Sequence, residues 1–311
     1  MVADTFNKEA VCRIYEIKKR PSFDPLIVHV CSPDEAIRLW CEIPSVALTL
    51  MKKFWPGPLT LVLPKNPSVP DLVTAGLGTV AVRMPKNPVA LELIRKSGTP
   101  IAAPSANRFG GVSPTTAQAV YEDLKDGPDF ILDGGPAVIG LESTVLKIEK
   151  NLGVLLRPGG VAVEELENFL RVRTASRSAK MPESPGQLKS HYATQTPLCL
   201  LDRPLGHTLD ELEKFRGGRP AGRYPRIGLL SFGSPTDPDG LFHAAEELSA
   251  KKSLREAAAK LFQVMRKLDK MGLDLILATP VPERGIGLAI MDRLRKASSI
   301  NNLMGFLSGW K

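Results

Sequence analysis

The sequence predicts an α/β protein: a mixed, twisted sheet with helices laid among its strands, followed by a smaller Rossmann-like unit. Three observations predict it. Through the first half, short β-branched runs alternate with stretches of helical period. Over roughly the last 80 residues the order is strand, helix, strand, helix, which the right-handed crossover rule turns into a small doubly wound unit. Between the two, Arg171 to Gln195 is rich in Ser, Arg, Lys and Pro and has little periodicity, as a linker does.

The elements follow in order. From Asn7 to Lys19, Ala10, Val11, Ile14, Tyr15 and Ile17 recur near helical spacing, and Pro21 cannot continue that helix. Leu26 to Val30 is a β-branched strand run. Ser32-Pro33-Asp34-Glu35 is a helix start with proline in the first turn, and helical period from Ala36 to Lys53 is interrupted by Pro44. After the Pro56-Gly57-Pro58 breaker, strands are expected at Leu59 to Leu63, Val80 to Arg83, Ile101 to Ala103, Phe130 to Leu132, Thr144 to Ile148 and Val154 to Leu156. Helices are expected at Pro88 to Lys96, Thr115 to Leu124 and Val161 to Leu170. The last unit reads as strand Arg226 to Phe232, helical material Leu241 to Met271, strand Leu273 to Thr279 and helix Ile286 to Lys296. The expected domains are 1–170, a basic linker at 171–225, and 226–311.

Composition excludes several classes. With 311 residues, 43% hydrophobic and 24% charged, the chain can bury a sizeable core and is not globally disordered. No apolar run approaches the roughly 18 residues that span a bilayer, and the expectation is a cytoplasmic protein with no membrane partner. Cys12, Cys31, Cys41 and Cys199 form no CxxC pair, so neither a disulfide framework nor a zinc knuckle is written here. The net charge of +8 is uneven: residues 1–170 carry 18 Lys and Arg against 19 Asp and Glu, whereas residues 171–226 carry 11 against 5. The excess belongs mainly to the linker.

Several strand ends carry candidate chemistry. Lys18, Lys19 and Arg20 end a helix before Pro21, where they either compensate the helix dipole or clamp a phosphate. Ala103-Pro104-Ser105-Ala106-Asn107 leaves a small-residue strand with a hydroxyl and an amide, a turn or an anion cradle. Gly140-Leu141-Glu142-Ser143-Thr144-Val145 repeats that device, and Arg157-Pro158-Gly159-Gly160 adds a cation at the next strand end. Together they make an anion site at the mouth of an α/β sheet. There is no Walker-type GxxxxGK[ST], no GxGxxG and no G-x-S-x-G elbow. His29, within a strand, reads as a core histidine or a site residue, and His191-Tyr192 in the linker is harder to explain as packing.

The wording of the chain resembles the Sua5/YrdC/YciO family. The resemblance rests on Lys18-Lys19-Arg20-Pro21, Pro25-Leu26-Ile27-Val28-His29, Trp55-Pro56-Gly57-Pro58-Leu59-Thr60, Thr79-Val80-Ala81-Val82-Arg83-Met84-Pro85, Ala103-Pro104-Ser105-Ala106-Asn107 and Glu142-Ser143-Thr144-Val145. It implies a YrdC-like catalytic domain over residues 1–170, a linker at 171–225 that folds over the active site as a lid, and a Sua5-type extension over residues 226–311. The implied activity is threonylcarbamoyl-AMP synthesis from L-threonine, bicarbonate and ATP, the first step of tRNA t6A modification, with pyrophosphate as the other product. Implied partners are tRNA and the machinery that transfers the threonylcarbamoyl group. By the same resemblance Lys18 and Arg20 are the catalytic phosphate-binding pair, with Asp24, Thr79, Ser105, Asn107, Ser113, Arg157 and Tyr192 as further ATP contacts. His29, Arg83, Ala103 and Ser143 match threonine-holding positions, and Mg2+ would arrive on ATP.

Two departures from the family pattern stand out. The family's HYAP-like linker segment reads His191-Tyr192-Ala193-Thr194 here. Members also open with a strand carrying a PTETVYGL-like motif, and this sequence begins just where that motif should end, short by roughly three dozen residues. An internal methionine of a longer protein, or a truncated and impaired homologue, is the expectation that follows. A double-stranded RNA- or tRNA-binding or regulatory protein is the reading from a different class.

Overall fold

A computed structural model describes residues 1–175, 182–187, 191–217, 224–235 and 240–310. It divides into two compact units. One comprises Met1–Phe109, Ser113–Ala137 and Glu142–Lys189; the other comprises Gly110–Val112, Val138–Leu141 and Ser190–Lys311.

The first unit is built from β1 (Ala3–Asp4), α1 (Lys8–Lys18), β2 (Ile27–His29), α2 (Pro33–Leu39), α3 (Ser45–Phe54), β3 (Leu59–Pro64), α4 (Asp71–Thr74), β4 (Thr79–Arg83), α5 (Pro88–Ser97), β5 (Ile101–Ala102), α6 (Ala117–Leu124), β6 (Thr144–Glu149), β7 (Leu152–Arg157), α7 (Val163–Glu167) and β8 (Arg171–Thr174). The strands form one sheet in the order β1-β5-β2-β4-β3-β6-β7-β8. It is mixed, as expected: β2 runs parallel to β4 and β3 to β6, while β3 and β4, β2 and β5, and β6 and β7 are antiparallel.

Local rules account for the helices. Asn7 caps α1 by accepting from the Ala10 amide, and Val11, Ile14, Tyr15 and Lys18 line its buried face at i, i+3, i+4 and i+7. Ser32 caps α2 with Pro33 behind it, and Asn87 caps α5 in the same way before Pro88. Pro44 separates α2 from α3, as the sequence predicts.

Strand alternation gives the sheet two different faces. Val28, Leu61, Leu63, Val80, Val82, Leu146 and Ile148 point into the main core with Val11, Ile14, Leu50 and Trp55. Their neighbours Ile27, Val62, Ala81 and Val145, joined by Val154 and Leu156, form a second, smaller apolar patch on the opposite face.

The second unit contains β9 (Leu198–Leu200), α8 (Leu205–Gly217), β10 (Ile227–Ser231), β11 (Ala244–Glu247), α9 (Leu254–Asp269), β12 (Leu275–Ala278), α10 (Gly287–Ala297) and α11 (Leu303–Ser308). Its four strands are all parallel in the order β11-β10-β12-β9. Leu230, Ile276 and Ala278 pack one way against Leu261, Phe262 and Ile290, while Leu229, Leu275 and Leu277 pack the other way against Leu212 and Leu307. A parallel sheet buried on both faces is the Rossmann-like arrangement expected.

Four expectations are corrected. Phe130 to Leu132 is not a strand: it pairs with nothing regular, and Phe130 is 87% exposed. An apolar run supplies propensity but not a neighbouring strand. Residues 171–225 are not simply a tether, because they supply β8 to the first sheet and β9 and α8 to the second unit. A three-residue Leu-Cys-Leu strand is too short to show periodicity. Leu241 to Met271 holds strand β11 ahead of α9, an Ala-Ala-Glu-Glu segment whose strand state comes from pairing with β10. The helix expected from Val161 to Leu170 contracts to α7. Parts of the expected linker, 176–181, 188–190 and 218–223, lie outside the described residues.

Candidate active site

The end of α1 sets the first half of the site. Lys19 closes the helix in the left-handed conformation, φ 52°, and is exposed, so the chain reverses between two inward-facing cations. Lys18 is 1% exposed and Arg20 7%. The Lys18 ammonium donates to the carbonyls of Ser105 at 2.6 Å and Asn107 at 2.5 Å, which ties α1 to the loop after β5. Burial lowers its pKa to about 7, and the Arg20 charge pushes the same way against Asp24 and Asp123.

Arg20 is held by three oxygens: Nε donates to the Asp24 carbonyl at 3.1 Å, Nη2 donates to the Pro25 carbonyl at 2.8 Å, and Nη2 forms an ion pair with Asp24 Oδ2 at 2.9 Å. Its guanidinium also lies 5.8 Å from the Phe109 ring centre. Asp24 is fully buried, and burial raises its pKa to about 6 against Arg20, Arg157 and Lys18. Its carboxylate is ion-paired with Arg20, and neither carboxylate oxygen accepts a hydrogen bond from the described residues.

The second half lies on the sheet face with the small apolar patch. Thr79, Ala81 and Arg83 alternate onto this face of β4, which places Thr79 two pleats from Arg83. Thr79 lines a pocket of about 270 Å³ with Glu42, Val62, Pro64 and Lys147. Arg83 donates Nε to the Gly57 carbonyl at 2.9 Å, and its terminal nitrogens have no partner among the described residues. Burial, then the charge of Arg157, lowers its pKa to about 10. His29 pairs with Arg83 across β2 and β4, and its Nδ1 is 3.2 Å from the Ile27 carbonyl. Burial and the nearby Arg83 push the imidazole down to about 3, so it is neutral at physiological pH.

Ser143 joins this group through β6. Its hydroxyl lies 2.7 Å from that of Thr60 on β3, and Arg157 reaches it with Nη2 at 3.2 Å. Arg157 also donates twice to the Ser143 carbonyl and once, at 3.1 Å, to the Pro185 carbonyl. Gly159 permits this closeness: a Cβ there would sit 2.3 Å from the Ser143 carbonyl carbon and the Thr144 nitrogen. Because Arg157 biases both Asp24 and Arg83, it is the electrostatic link between the two halves.

Ser105 and Asn107 reach the site through the backbone bonds to Lys18, and Ala103 through its amide, which donates to the Ile27 carbonyl. Ser113 donates to Glu142 Oε1 at 2.7 Å. Tyr192 belongs to the second unit, where its ring stacks on Phe262 at 5.4 Å and lies 5.1 Å from the Arg293 guanidinium carbon. Sequence reasoning passed over Thr60, Glu142 and the Gly57 and Pro185 carbonyls. Only Thr60 left a signal, a polar residue in step with Val62 on the site face. The carbonyls leave none, since every residue has one.

Comparison with known proteins adds independent findings. Residues 1–159 match the Sua5/YciO/YrdC family, described as telomere recombination, and residues 161–299 match the threonylcarbamoyl-AMP synthase C-terminal domain. A threonylcarbamoyl-AMP synthase of Pyrococcus abyssi is 42% identical over 95% of this chain and 86% of its own length. One from Bacillus subtilis is 42% identical over 95% and 85%. The crystal structure of P. abyssi Sua5 complexed with L-threonine superposes with TM-score 0.86 at 41% identity, covering 96% of this chain and 86% of that one. On both its domains, this chain belongs to the two-domain Sua5-type family of threonylcarbamoyl-AMP synthases.

Proposed function

We infer that this chain condenses L-threonine, bicarbonate and ATP into threonylcarbamoyl-adenylate and pyrophosphate. The observation that carries the reading is one sheet face with an open guanidinium fork, Arg83, and the Ser143 hydroxyl held by Arg157, whose charge also acts on the Asp24 that is ion-paired with the buried Arg20. A guanidinium fork suits a carboxylate, and paired cations suit a phosphate chain.

In this reading the threonine carboxylate lies on Arg83 and Ser143, with His29 neutral beside them and Ala103 closing the subsite. The amine adds to the carbon of bicarbonate, and loss of water gives a carbamate. A carbamate oxygen then attacks the α-phosphorus of ATP: the new O–P bond forms, the α–β bridge bond breaks, and its electron pair leaves with pyrophosphate. No protein nucleophile is required, so catalysis consists of positioning and of stabilising charge on the phosphates. Lys18 and Arg20 supply that charge, and the Ser105–Asn107 loop, fixed by Lys18, shapes the phosphate cradle. Mg2+ would be carried by ATP's own oxygens and would neutralise the triphosphate. Thr79, Ser113 and Arg157 are further ATP contacts in this proposal. The product is consumed by a transferase that moves the threonylcarbamoyl group to tRNA.

The test is pyrophosphate release with ATP, Mg2+, L-threonine and bicarbonate, each omitted in turn, with the adenylate identified by mass spectrometry. Release that needs all of threonine, bicarbonate and ATP supports the reading. Threonine-independent release, or none from a protein that binds RNA in a salt-sensitive way, overturns it.

A further inference from the structure

Thr60 occupies a position where a hydroxyl needs a reason. It lies on β3, turned with Val62 to the site face, and it is fully buried. Valine has the same shape, so burying a hydroxyl here costs stability unless its hydrogen bond is used. That hydroxyl has one partner among the described residues, Ser143 Oγ at 2.7 Å. Ser143 Oγ in turn receives Nη2 of Arg157 at 3.2 Å.

Each direction of this bond leaves one hydroxyl proton without an acceptor among the described residues, and the two differ in which residue presents it. A hydroxyl carries one proton and two acceptor lone pairs. If Ser143 donated to Thr60, the Thr60 proton would be buried with nothing to accept it. If Thr60 donates to Ser143, Arg157 and Thr60 fill both Ser143 lone pairs, and it is the equally buried Ser143 proton that lacks a protein acceptor among the described residues and is left for a ligand. Ser143 is then locked as a donor.

We propose that Thr60 is a positioning residue that fixes Ser143 as a hydrogen-bond donor to an anionic oxygen of the amino-acid substrate, acting beside the Arg83 fork. The proposal deepens the function above and rests on it. Thr60 does not touch the phosphate cations, so its effect is confined to the amino-acid side of the reaction.

The experiment is steady-state kinetics of Thr60→Val and Thr60→Ser in the full-length chain, with threonine and ATP varied separately and melting followed for each variant. Thr60→Val is expected to raise KM for threonine about tenfold, with KM for ATP and kcat within about twofold, and Thr60→Ser to restore the wild-type value. Ser143→Ala alone and combined with Thr60→Val is expected to give the same threonine KM, because Thr60 acts only through Ser143. An unchanged threonine KM in Thr60→Val, a parallel rise for ATP, or additive effects in the double variant would overturn the assignment. Should Thr60→Val not fold, Thr60→Ser against Ser143→Ala still decides: the assignment fails if Thr60→Ser weakens threonine as much as Ser143→Ala does. A wild-type protein without threonine-dependent turnover would instead remove the functional reading itself.

Discussion

ATP binding to this protein should weaken as pH rises above neutrality, because Lys18 loses its charge early. Its folded pKa is about 7 against an ordinary 10.5, with burial as the main cause. Between those values the free folded protein holds fewer protons than the unfolded chain, so this group favours folding increasingly as pH rises. Phosphates beside Lys18 favour the ammonium, and binding in that window therefore takes up a proton. If only the charged form binds, apparent affinity follows the protonated fraction, about 0.5 at pH 7 and about 0.01 at pH 9. The fall is about fifty-fold, or about 2.3 kcal/mol. Asp24 at about 6 and His29 at about 3 titrate below the range from pH 7 to 9, and Arg83 at about 10 titrates above it. Calorimetric titration of a non-hydrolysable ATP analogue at pH 7, 8 and 9, in two buffers of different ionisation enthalpy, measures affinity and proton uptake together. Lys18→Met should bind weakly with a flat profile. A wild-type affinity constant from pH 7 to 9, with no proton uptake, would refute the reasoning.

Three further outcomes follow from the same geometry. Arg83→Gln should raise KM for threonine about a hundredfold with little change in melting, since the guanidinium donates to one carbonyl and otherwise faces the ligand; kinetics and a melting curve check both halves. Arg157→Met should cost about 3 kcal/mol in urea unfolding, because the Ser143 and Pro185 carbonyls lose a buried charged donor. Gly159→Ala should cut turnover at least tenfold while the protein stays folded, because its Cβ would displace the backbone at Ser143 and Thr144; circular dichroism beside the kinetic assay separates misfolding from misplacement.

How far the residues spoke for themselves differed from place to place. Helix α1 was legible because its cap, its apolar stripe and Pro21 all agree, and local agreement of that kind is what sequence reading detects. Lys18 and Arg20 were legible as a pair, although the left-handed Lys19 that turns both inward is a backbone fact. The strands β3, β4 and β6 were found from β-branched runs, yet which face of each carries the site follows from register, which depends on neighbours distant in sequence. Phe130 to Leu132 and β11 failed in opposite directions for one reason: strand identity is conferred by a pairing partner, which the first lacks and the second has. The polarity of Ser143 was out of reach, because it emerges only when Thr60 of β3 and Arg157 of β7 meet Ser143, the residue just before β6.

The left-handed residue at the end of α1 also bears on how this segment tolerates genetic change. Two buried cations separated by one outward residue form a spacing rule rather than a sequence rule. Exchanges at Lys19 should be tolerated wherever the new residue accepts positive φ, with glycine or asparagine the easiest. Losing or gaining a single codon there would instead turn one buried cation to solvent and leave Asp24 facing an empty partner position. Among descendants of this gene, length between Lys18 and Arg20 should therefore be held more tightly than the identity of the residue between them.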